Sequence, residues 1–319
     1  MDRMTDKPLA PIVAFGPLYP YVTQELERRF TVHAVAADAD LSALSAEARS
    51  ARAMVSFGSV GAPAAIMDAL PKLEMIGLFS VGYDKVDVDH ARAKGIRVTN
   101  TPDVLTDDVA DLAVGLLYAT VRNIAANDRM VRAGDWARGV KPALSGRLTG
   151  SRIGILGLGR IGRAIAKRLE PVAGEILYHN RRQVADAPYH HVADPIDFAR
   201  RSDVIIVATS GGPEAAKLVG ATMLDALGPD GVIVNISRGR VIDEEALVAA
   251  LADRRIAGAG LDVFVNEPHV PEALFAMDHV VLQPHQGSAT VHSRKAMAEL
   301  VLANLDAHFA GKALPTPVV

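Results

Sequence analysis

Residues 152–162 read Arg152-Ile153-Gly154-Ile155-Leu156-Gly157-Leu158-Gly159-Arg160-Ile161-Gly162. The first half of this stretch is an apolar run of the kind found in buried strands. It turns through the spacing G-x-G-x-x-G into a helical pattern over residues 163–170, and a second apolar segment follows at residues 175–180. This order and spacing are those of a β-α-β unit. The stretch therefore predicts the opening of a parallel sheet.

The three glycines of the turn predict a dinucleotide site. Gly157 permits the tight turn, Gly159 lets the backbone approach a pyrophosphate, and Gly162 lets the helix pack closely on the strand. The N-terminus of the helix adds unpaired N–H groups that attract an anion. We expect cofactor contacts from four residues of the turn: Leu158, Gly159, Arg160 and Ile161.

The tip of the second strand points to the kind of dinucleotide. Sites for NAD usually place a carboxylate about 20 residues after the first glycine, where it accepts hydrogen bonds from the ribose. Here the uncharged Asn180 stands near that position and is followed by Arg181 and Arg182. A guanidinium fork binds phosphate in a bidentate manner. We therefore predict that NADP(H) is preferred over NAD(H), with a solvated basic turn as the alternative.

Length and composition exclude several classes of protein. The chain has 319 residues, half of them apolar, which favours two domains. A net charge of −3 without a long basic run argues against nucleic-acid binding. The absence of cysteine excludes disulfides, thiolate nucleophiles and cysteine-ligated metals, and no metal site is expected. The apolar runs are too short to span a bilayer, so we expect a cytoplasmic protein that does not bind membranes.

Short β-type runs alternate with helical patterns on both sides of the glycine turn. Such alternation predicts an α/β fold with two doubly wound parallel sheets. The runs before the turn are residues 12–15, 32–35, 53–56, 75–79 and 96–99. Those from the turn onward are residues 153–156, 176–178, 204–209, 232–236, 259–263 and 280–282. A last helix is expected over residues 289–309, with Ser288 as its cap.

Residues 122–150 read as a helix followed by an extended arm without a strand. An arm of this length needs a surface to lie on, and a partner subunit is one candidate. Trp136, the only tryptophan, lies in the arm. A single tryptophan is more often a packing residue than a site contact.

The predicted strand ends carry groups suited to hydride-transfer chemistry. A hydride-carrying cofactor needs a partner that exchanges a proton with the substrate oxygen, and histidine is the natural choice. His285 follows a strand and a proline, and Glu267 follows the preceding strand. A carboxylate beside an imidazole favours the imidazolium form and orients the ring. Arg238 could hold a substrate carboxylate in a fork. Each residue alone could be a surface charge or a cap, but together they favour a site.

Four motifs at these strand ends occur together: Gly157-Leu158-Gly159-Arg160-Ile161-Gly162, Asn235-Ile236-Ser237-Arg238-Gly239, Gly258-Ala259-Gly260-Leu261-Asp262-Val263-Phe264 with Glu267-Pro268, and Pro284-His285-Gln286-Gly287-Ser288-Ala289-Thr290. Through them the chain resembles the D-isomer-specific 2-hydroxyacid dehydrogenases over nearly its full length. Residues 79–84 and 98–106 are most similar to the glyoxylate/hydroxypyruvate reductases and the hydroxyphenylpyruvate reductases of that family.

The resemblance implies the roles of the site residues. His285 would be the acid/base, Glu267 its carboxylate partner, and Arg238 the group that binds the substrate carboxylate and carbonyl. Backbone N–H groups of Val81 and Gly82 would also bind the carboxylate. Asp262 would lie near the nicotinamide carboxamide, and the remaining cofactor contacts are expected from Thr209, Ile236, Ser237 and Gly287.

The resemblance also implies a discontinuous fold. A Rossmann cofactor domain, residues 99–288, would be inserted into a flavodoxin-like substrate domain made of residues 1–98 and 289–319. The protein would be a homodimer whose arm, residues 122–150, crosses to the other subunit and brings Trp136 to the neighbour's substrate cleft.

The expected reaction is NADPH-dependent reduction of a small 2-oxo acid, glyoxylate or hydroxypyruvate, to the D-2-hydroxy acid. The alternative substrates are phenylpyruvate and 4-hydroxyphenylpyruvate. The orientation of Phe57 affects this choice. If its side chain points into the pocket for the C3 substituent of the substrate, it would favour small polar substituents. If it turns away, an aromatic ring of the substrate could stack there instead. A dinucleotide-sensing binding module, like the C-terminal-binding-protein corepressors of the same family, is the alternative of another class.

Overall fold

The structure, a computed structural model, describes residues 10–319 apart from the side chain of Pro213. These residues form two compact units. Unit 1 comprises residues 10–105 together with Val291–Val319, and unit 2 comprises Thr106–Thr290. The chain thus leaves unit 1, completes unit 2 and returns to unit 1.

Unit 1 is an open parallel sheet with alternating helices. Its elements before unit 2 are β1 (Pro11–Phe15), α1 (Pro20–Glu27), β2 (Thr31–Val35), α2 (Ala46–Arg49), β3 (Ala53–Phe57), α3 (Ala64–Ala69), β4 (Met75–Phe79), α4 (Val88–Ala93) and β5 (Arg97–Thr99). The strand order is β2-β1-β3-β4-β5, with every neighbouring pair parallel. This is the flavodoxin-like order. Strand β4 is buried along its whole length, as expected of a central strand covered on both faces.

Unit 2 has a longer sheet. Its elements are α5 (Thr106–Val121), α6 (Ile124–Arg132), β6 (Arg152–Leu156), α7 (Arg160–Leu169), β7 (Glu175–His179), β8 (His190–His191), α8 (Pro195–Arg200), β9 (Val204–Val207), α9 (Ala221–Leu227), β10 (Val232–Asn235), α10 (Glu244–Ala252), β11 (Gly258–Leu261) and β12 (Val280–Leu282). The strand order is β12-β11-β10-β9-β6-β7-β8. Read from β8, it is the dinucleotide-binding order with one further strand at the edge. The predicted fold class is confirmed.

The last helix, α11 (Val291–Phe309), belongs to unit 1. The C-terminal tail then runs beside β5, where the Val98 N–H donates to the Val319 carbonyl at 2.9 Å and the Thr316 hydroxyl to the Asn100 carbonyl at 2.6 Å. Unit 1 extends beyond β5 as far as Leu105. The expected start of the helix at residue 289 is wrong, because the Ala289 N–H bonds to the Gln286 carbonyl in a preceding turn.

Two local features complete the comparison with the sequence. Strand β8 was not predicted, because it is two residues long and its histidines carry no apolar alternation. Within residues 10–319, no single helix is long and apolar enough to cross a membrane, and only the bent pair α5 and α6 passes by combined length and composition.

Candidate active site

The glycine turn between β6 and α7 has the close contacts that the motif predicts. Gly157 has φ +103°, and a Cβ there would lie 2.5 Å from the Thr209 Cα atom. A Cβ at Gly162 would overlap the Gly157 carbonyl oxygen. At Gly159, by contrast, a Cβ would have no described heavy atom within 4 Å. Space therefore lies open beside the backbone at Gly159, where helix α7 begins, and this opening fits a pyrophosphate group.

Residues at the end of the neighbouring strand β7 hold this turn in place. The Leu158 N–H donates to the Asn180 side-chain oxygen at 2.7 Å, and the Gly157 N–H donates to the His179 carbonyl at 3.0 Å. Arg160 and Ile161 are the first two residues of α7. The side-chain oxygen of Asn180 is thus engaged in holding the glycine turn.

Asn180, Arg181 and Arg182 line an open pocket of about 480 Å³ beside the turn. Arg181 Nη2 lies 3.3 Å from Glu214 Oε1, and both side chains are largely exposed. Glu214 was missed from the sequence, where it is one acid in a loop after β9. Its carboxylate lies beside one of the two arginines that were expected to bind a phosphate. A bound phosphate and Glu214 would therefore compete for Arg181.

Glu267 and His285 are in direct contact. The Oε2 atom of Glu267 lies 2.7 Å from Nδ1 of His285, while Oε1 accepts the Phe264 N–H at 3.0 Å. Burial acts to raise the pKa of Glu267, but the hydrogen bond and charge of His285 outweigh it and the pKa is lowered overall. The carboxylate is therefore kept ionised and can hold a proton on Nδ1 of the imidazole.

The backbone around His285 is fixed by Asp262, which is 1% exposed. Its carboxylate accepts the Gln286 N–H at 2.6 Å and the Gly287 N–H at 2.9 Å, and its carbonyl accepts the His285 N–H at 2.9 Å. Burial raises the pKa of Asp262, although the two amide hydrogen bonds act in the opposite direction. His285 has φ +54°, a backbone conformation that costs free energy in a residue other than glycine and persists only where neighbours enforce it.

Arg238 follows β10 in a turn closed by Asn235. The Asn235 side-chain oxygen accepts the Ser237 N–H at 3.0 Å, and its amide donates to the Arg238 carbonyl at 3.0 Å. Ile236 and Ser237 are buried in this turn. The positive charge of Arg238 also lowers the pKa of Glu267. The charges of Arg238 and His285 thus both act on the carboxylate of Glu267, so the three predicted catalytic residues interact electrostatically within unit 2.

The remaining predicted substrate residues lie elsewhere in the chain. In unit 1, the Val81 carbonyl accepts a hydrogen bond from the Asn100 amide at 2.7 Å, and the Gly82 carbonyl accepts one from the Ser80 hydroxyl at 2.6 Å. Both peptide groups are held in the bend after β4. In unit 2, Trp136 of the arm is 65% exposed. The roles given to these residues remain predictions.

Phe57, whose orientation the sequence left open, packs against two other rings of unit 1. Its centroid lies 6.1 Å from that of Tyr19 and 5.9 Å from that of Phe79.

The described residues contain no group of three or more histidine, cysteine, aspartate or glutamate side chains that could hold a metal ion.

Known proteins share this sequence and architecture. The family model for the NAD-binding domain of D-isomer-specific 2-hydroxyacid dehydrogenases matches residues 114–287. A hydroxyphenylpyruvate reductase of Plectranthus scutellarioides is 49% identical over 97% of this chain and 98% of its own length. Glyoxylate/hydroxypyruvate reductase A of Arabidopsis thaliana is 47% identical, with the same coverage of both chains.

A solved structure gives the same result for the fold. The NADPH-dependent glyoxylate/hydroxypyruvate reductase of Sinorhizobium meliloti, in complex with NADP and malonate, superposes with a TM-score of 0.92. It is 43% identical, and the match covers 97% of each chain. The enzyme interpretation is thus confirmed over that of a binding module. The chain belongs to the D-isomer-specific 2-hydroxyacid dehydrogenase family and is an oxidoreductase that uses a nicotinamide cofactor.

Proposed function

We propose that this enzyme reduces a small 2-oxo acid, glyoxylate or hydroxypyruvate, to the D-2-hydroxy acid with NADPH. The observation that carries the proposal is the 2.7 Å contact between Glu267 and His285, with the charge of Arg238 acting on the same carboxylate. A proton donor and a carboxylate-binding cation are the two groups that such a reduction requires from the protein.

The proposed roles follow from the geometry of these side chains. Since Nδ1 of His285 is engaged by Glu267, Nε2 is the atom that delivers a proton to the substrate oxygen. Arg238 holds the substrate carboxylate and polarises the adjacent carbonyl. NADPH, when bound, supplies the hydride that C2 of the substrate accepts. The 2-oxo acid, NADPH and one proton thus give the 2-hydroxy acid and NADP⁺, after which His285 regains a proton from water.

Two observations support the preference for NADPH. Arg181 and Arg182 line the pocket beside the glycine turn, and no carboxylate replaces Asn180 at the strand tip. The related Sinorhizobium meliloti enzyme is described as NADPH-dependent. Glu214, paired with Arg181, works against the preference and limits its size.

A second substrate class has specific support. The Plectranthus scutellarioides relative, 49% identical to this chain, is a hydroxyphenylpyruvate reductase. In unit 1, Tyr19 is 40% exposed next to Phe57 and could offer a stacking surface for an aromatic substrate. 4-Hydroxyphenylpyruvate is therefore the alternative substrate.

The deciding experiment compares kcat/KM for glyoxylate, hydroxypyruvate, phenylpyruvate and 4-hydroxyphenylpyruvate, each with NADPH and with NADH. We expect the two small acids with NADPH to give the highest values. A higher value for either aromatic acid would favour the second class, and a higher value with NADH would refute the cofactor preference. The variant His285→Ala should lose about 100-fold or more in kcat with little change in NADPH affinity.

We also propose that the enzyme is a homodimer in which residues 122–150 form the interface. Helix α6 has no buried residue, and three apolar side chains of the arm are exposed: Trp136 at 65%, Val140 at 46% and Leu144 at 100%. Apolar surface of this kind is typical of an interface. Light scattering at assay concentration should give twice the chain mass, and a monomer would refute the proposal. Leu144→Asp should favour the monomer, whereas the exposed substitution Lys167→Asp on α7 should not.

A further inference from the structure

Arg294 and three aromatic side chains form a cluster in unit 1. The ring centroids of Tyr19, Phe57 and Phe79 lie 5.9 to 6.1 Å apart, close to an equilateral triangle. The Arg294 Cζ atom lies 4.6 Å from the Tyr19 centroid, 5.5 Å from that of Phe57 and 5.8 Å from that of Phe79. The guanidinium therefore makes cation–π contacts with all three rings.

The hydrogen bonding of this guanidinium is incomplete. Arg294 Nε is buried and has no acceptor among the described residues. Burial lowers the pKa of Arg294, and the Tyr19 hydroxyl is the only described side chain that acts in the opposite direction. Arginine nevertheless keeps its charge. Buried polar groups in proteins normally have partners, and this cation has few among the described residues.

The cluster lies at the edge of the sheet where ligands bind. Phe57 and Phe79 are the last residues of β3 and β4 and are paired in register, and Tyr19 lies between β1 and α1. In open α/β folds, the carboxyl ends of parallel strands form the ligand-binding edge. The guanidinium of Arg294 thus lies over three rings at that edge.

The cluster also adjoins the bend after β4. Phe79 is followed directly by Ser80, Val81 and Gly82. The loop after Phe57 contacts the same bend, because a Cβ at Gly58 would overlap the Ser80 side chain and lie 3.4 Å from the Gly82 carbonyl oxygen. Arg294 contacts the ring of Phe79, which is only two residues before Val81, the first of the two amides that would bind the substrate carboxylate.

We propose that Arg294 donates a hydrogen bond to an oxygen on C3 of the substrate and thereby selects 2-oxo acids that carry a hydroxyl there. This inference rests on the proposed function and names its substrate class. A guanidinium has five N–H donors, and Tyr19 is the one described side chain that hydrogen-bonds to Arg294, so donors are left for a ligand. A substrate with a methyl group in place of the hydroxyl would leave a buried charged donor without a partner, which is costly.

The test compares hydroxypyruvate with 2-oxobutyrate, in which a methyl group replaces the C3 hydroxyl, and with glyoxylate, which has no C3. In the unaltered enzyme, we expect kcat/KM for hydroxypyruvate to exceed that for 2-oxobutyrate by about 10- to 100-fold. Arg294→Met should bring this ratio close to one and leave glyoxylate within a few-fold of its original value. Lys295 is an exposed neighbour of Arg294 in α11, and Lys295→Met should change neither the ratio of hydroxypyruvate to 2-oxobutyrate nor kcat/KM for glyoxylate.

Each other outcome has a definite meaning. An equal loss for all three acids in Arg294→Met would overturn the inference, because it indicates a role in folding or in binding the common carboxylate. Thermal unfolding of the variant separates these two causes. If Arg294→Met does not fold, Arg294→Lys takes its place, with a reduced ratio expected and an unchanged ratio contradicting the inference. If the unaltered enzyme reduces none of the acids with either cofactor, the proposed function itself fails.

Discussion

The carboxylate of Glu267 bridges the Nδ1 atom of His285, at 2.7 Å, and the Phe264 N–H, at 3.0 Å. The bridge fixes both the position of the carboxylate and the orientation of the imidazole. Both Glu267 and Asp262 follow strand β11, and the carboxylate oxygens of Asp262 hold the two residues after His285. The catalytic loop is thus attached to β11 through two acids with different environments, one buried and one half-exposed.

Glu267→Gln should shift the loss of reductase activity with rising pH to lower pH. The substitution keeps the size of the side chain but removes the negative charge that favours the imidazolium form. The measurement is kcat/KM for the 2-oxo acid between pH 5 and 10. Glu272→Gln, an exposed acid nearby in the chain, is the control and should leave the profile unchanged. An alkaline limb at the same pH in Glu267→Gln and the unaltered enzyme would contradict the coupling.

Gly162→Ala should reduce the stability of the protein, whereas Gly159→Ala should reduce its affinity for NADPH. A Cβ at Gly162 overlaps the Gly157 carbonyl, so the substitution should destabilise the protein by about 1–3 kcal/mol. A Cβ at Gly159 meets open space and should leave the thermal unfolding temperature nearly unchanged. It would, however, occupy the room in which a pyrophosphate approaches the backbone. Gly159→Ala should therefore weaken NADPH binding in a folded protein, and unchanged NADPH affinity would refute the assignment of that space.

The sequence was sufficient for features that depend on neighbours along the chain. The glycine turn, the apolar strand runs and the alternation of strands and helices are all local patterns, and each predicted its element. The predicted start of α11 was wrong because Ser288 and Ala289 lie in a turn in which the Gln286 carbonyl accepts the Ala289 N–H. Local capping preference does not reveal this turn. Local sequence patterns therefore predict whether a segment is a helix or a strand better than they predict where that element begins and ends.

Contacts between distant residues set the limit of the prediction. His285 and Glu267 are 18 positions apart, and the sequence placed them near each other only through the rule that strand ends share an edge. The pairing of Glu214 with Arg181 and the position of Arg294 over three rings follow no such rule. They depend on how segments far apart in the chain pack together, so neither was expected.

Glu214→Gln should increase the preference for NADPH over NADH. The carboxylate lies 3.3 Å from Arg181, where it competes with a phosphate for the guanidinium and repels the phosphate charge. Both side chains are exposed, so the expected gain in the ratio of kcat/KM values is modest, about threefold. Arg181→Ala with Arg182→Ala should lower the ratio well below that of the unaltered enzyme, and Arg200→Ala on α8 serves as the control. A ratio that falls in Glu214→Gln would show that the acid supports NADPH binding.

His308, 5% exposed on α11, should make the stability of the enzyme depend on pH below neutrality. Arg97 can only donate to Nδ1 of His308, so the imidazole is neutral and carries its proton on Nε2, 3.2 Å from the Glu74 carboxylate. Burial lowers the pKa of His308 from 6.5, and the charges of Arg97 and Arg52 act in the same direction, whereas Glu74 opposes them.

Because the folded protein holds this histidine neutral, its contribution to stability is complete above the unfolded-state pKa and is lost as the pH falls through the lower folded-state pKa. The loss from one proton is at most about 1.4 kcal/mol per pH unit. The urea midpoint should therefore fall between pH 7.5 and 5, and His308→Gln should reduce that fall although it also lowers the midpoint at neutral pH. His292→Gln, an exposed position on the same helix, should retain the full dependence. An equal pH dependence in His308→Gln and His292→Gln would show that other groups are responsible, with His279 the first candidate because burial lowers its pKa as well.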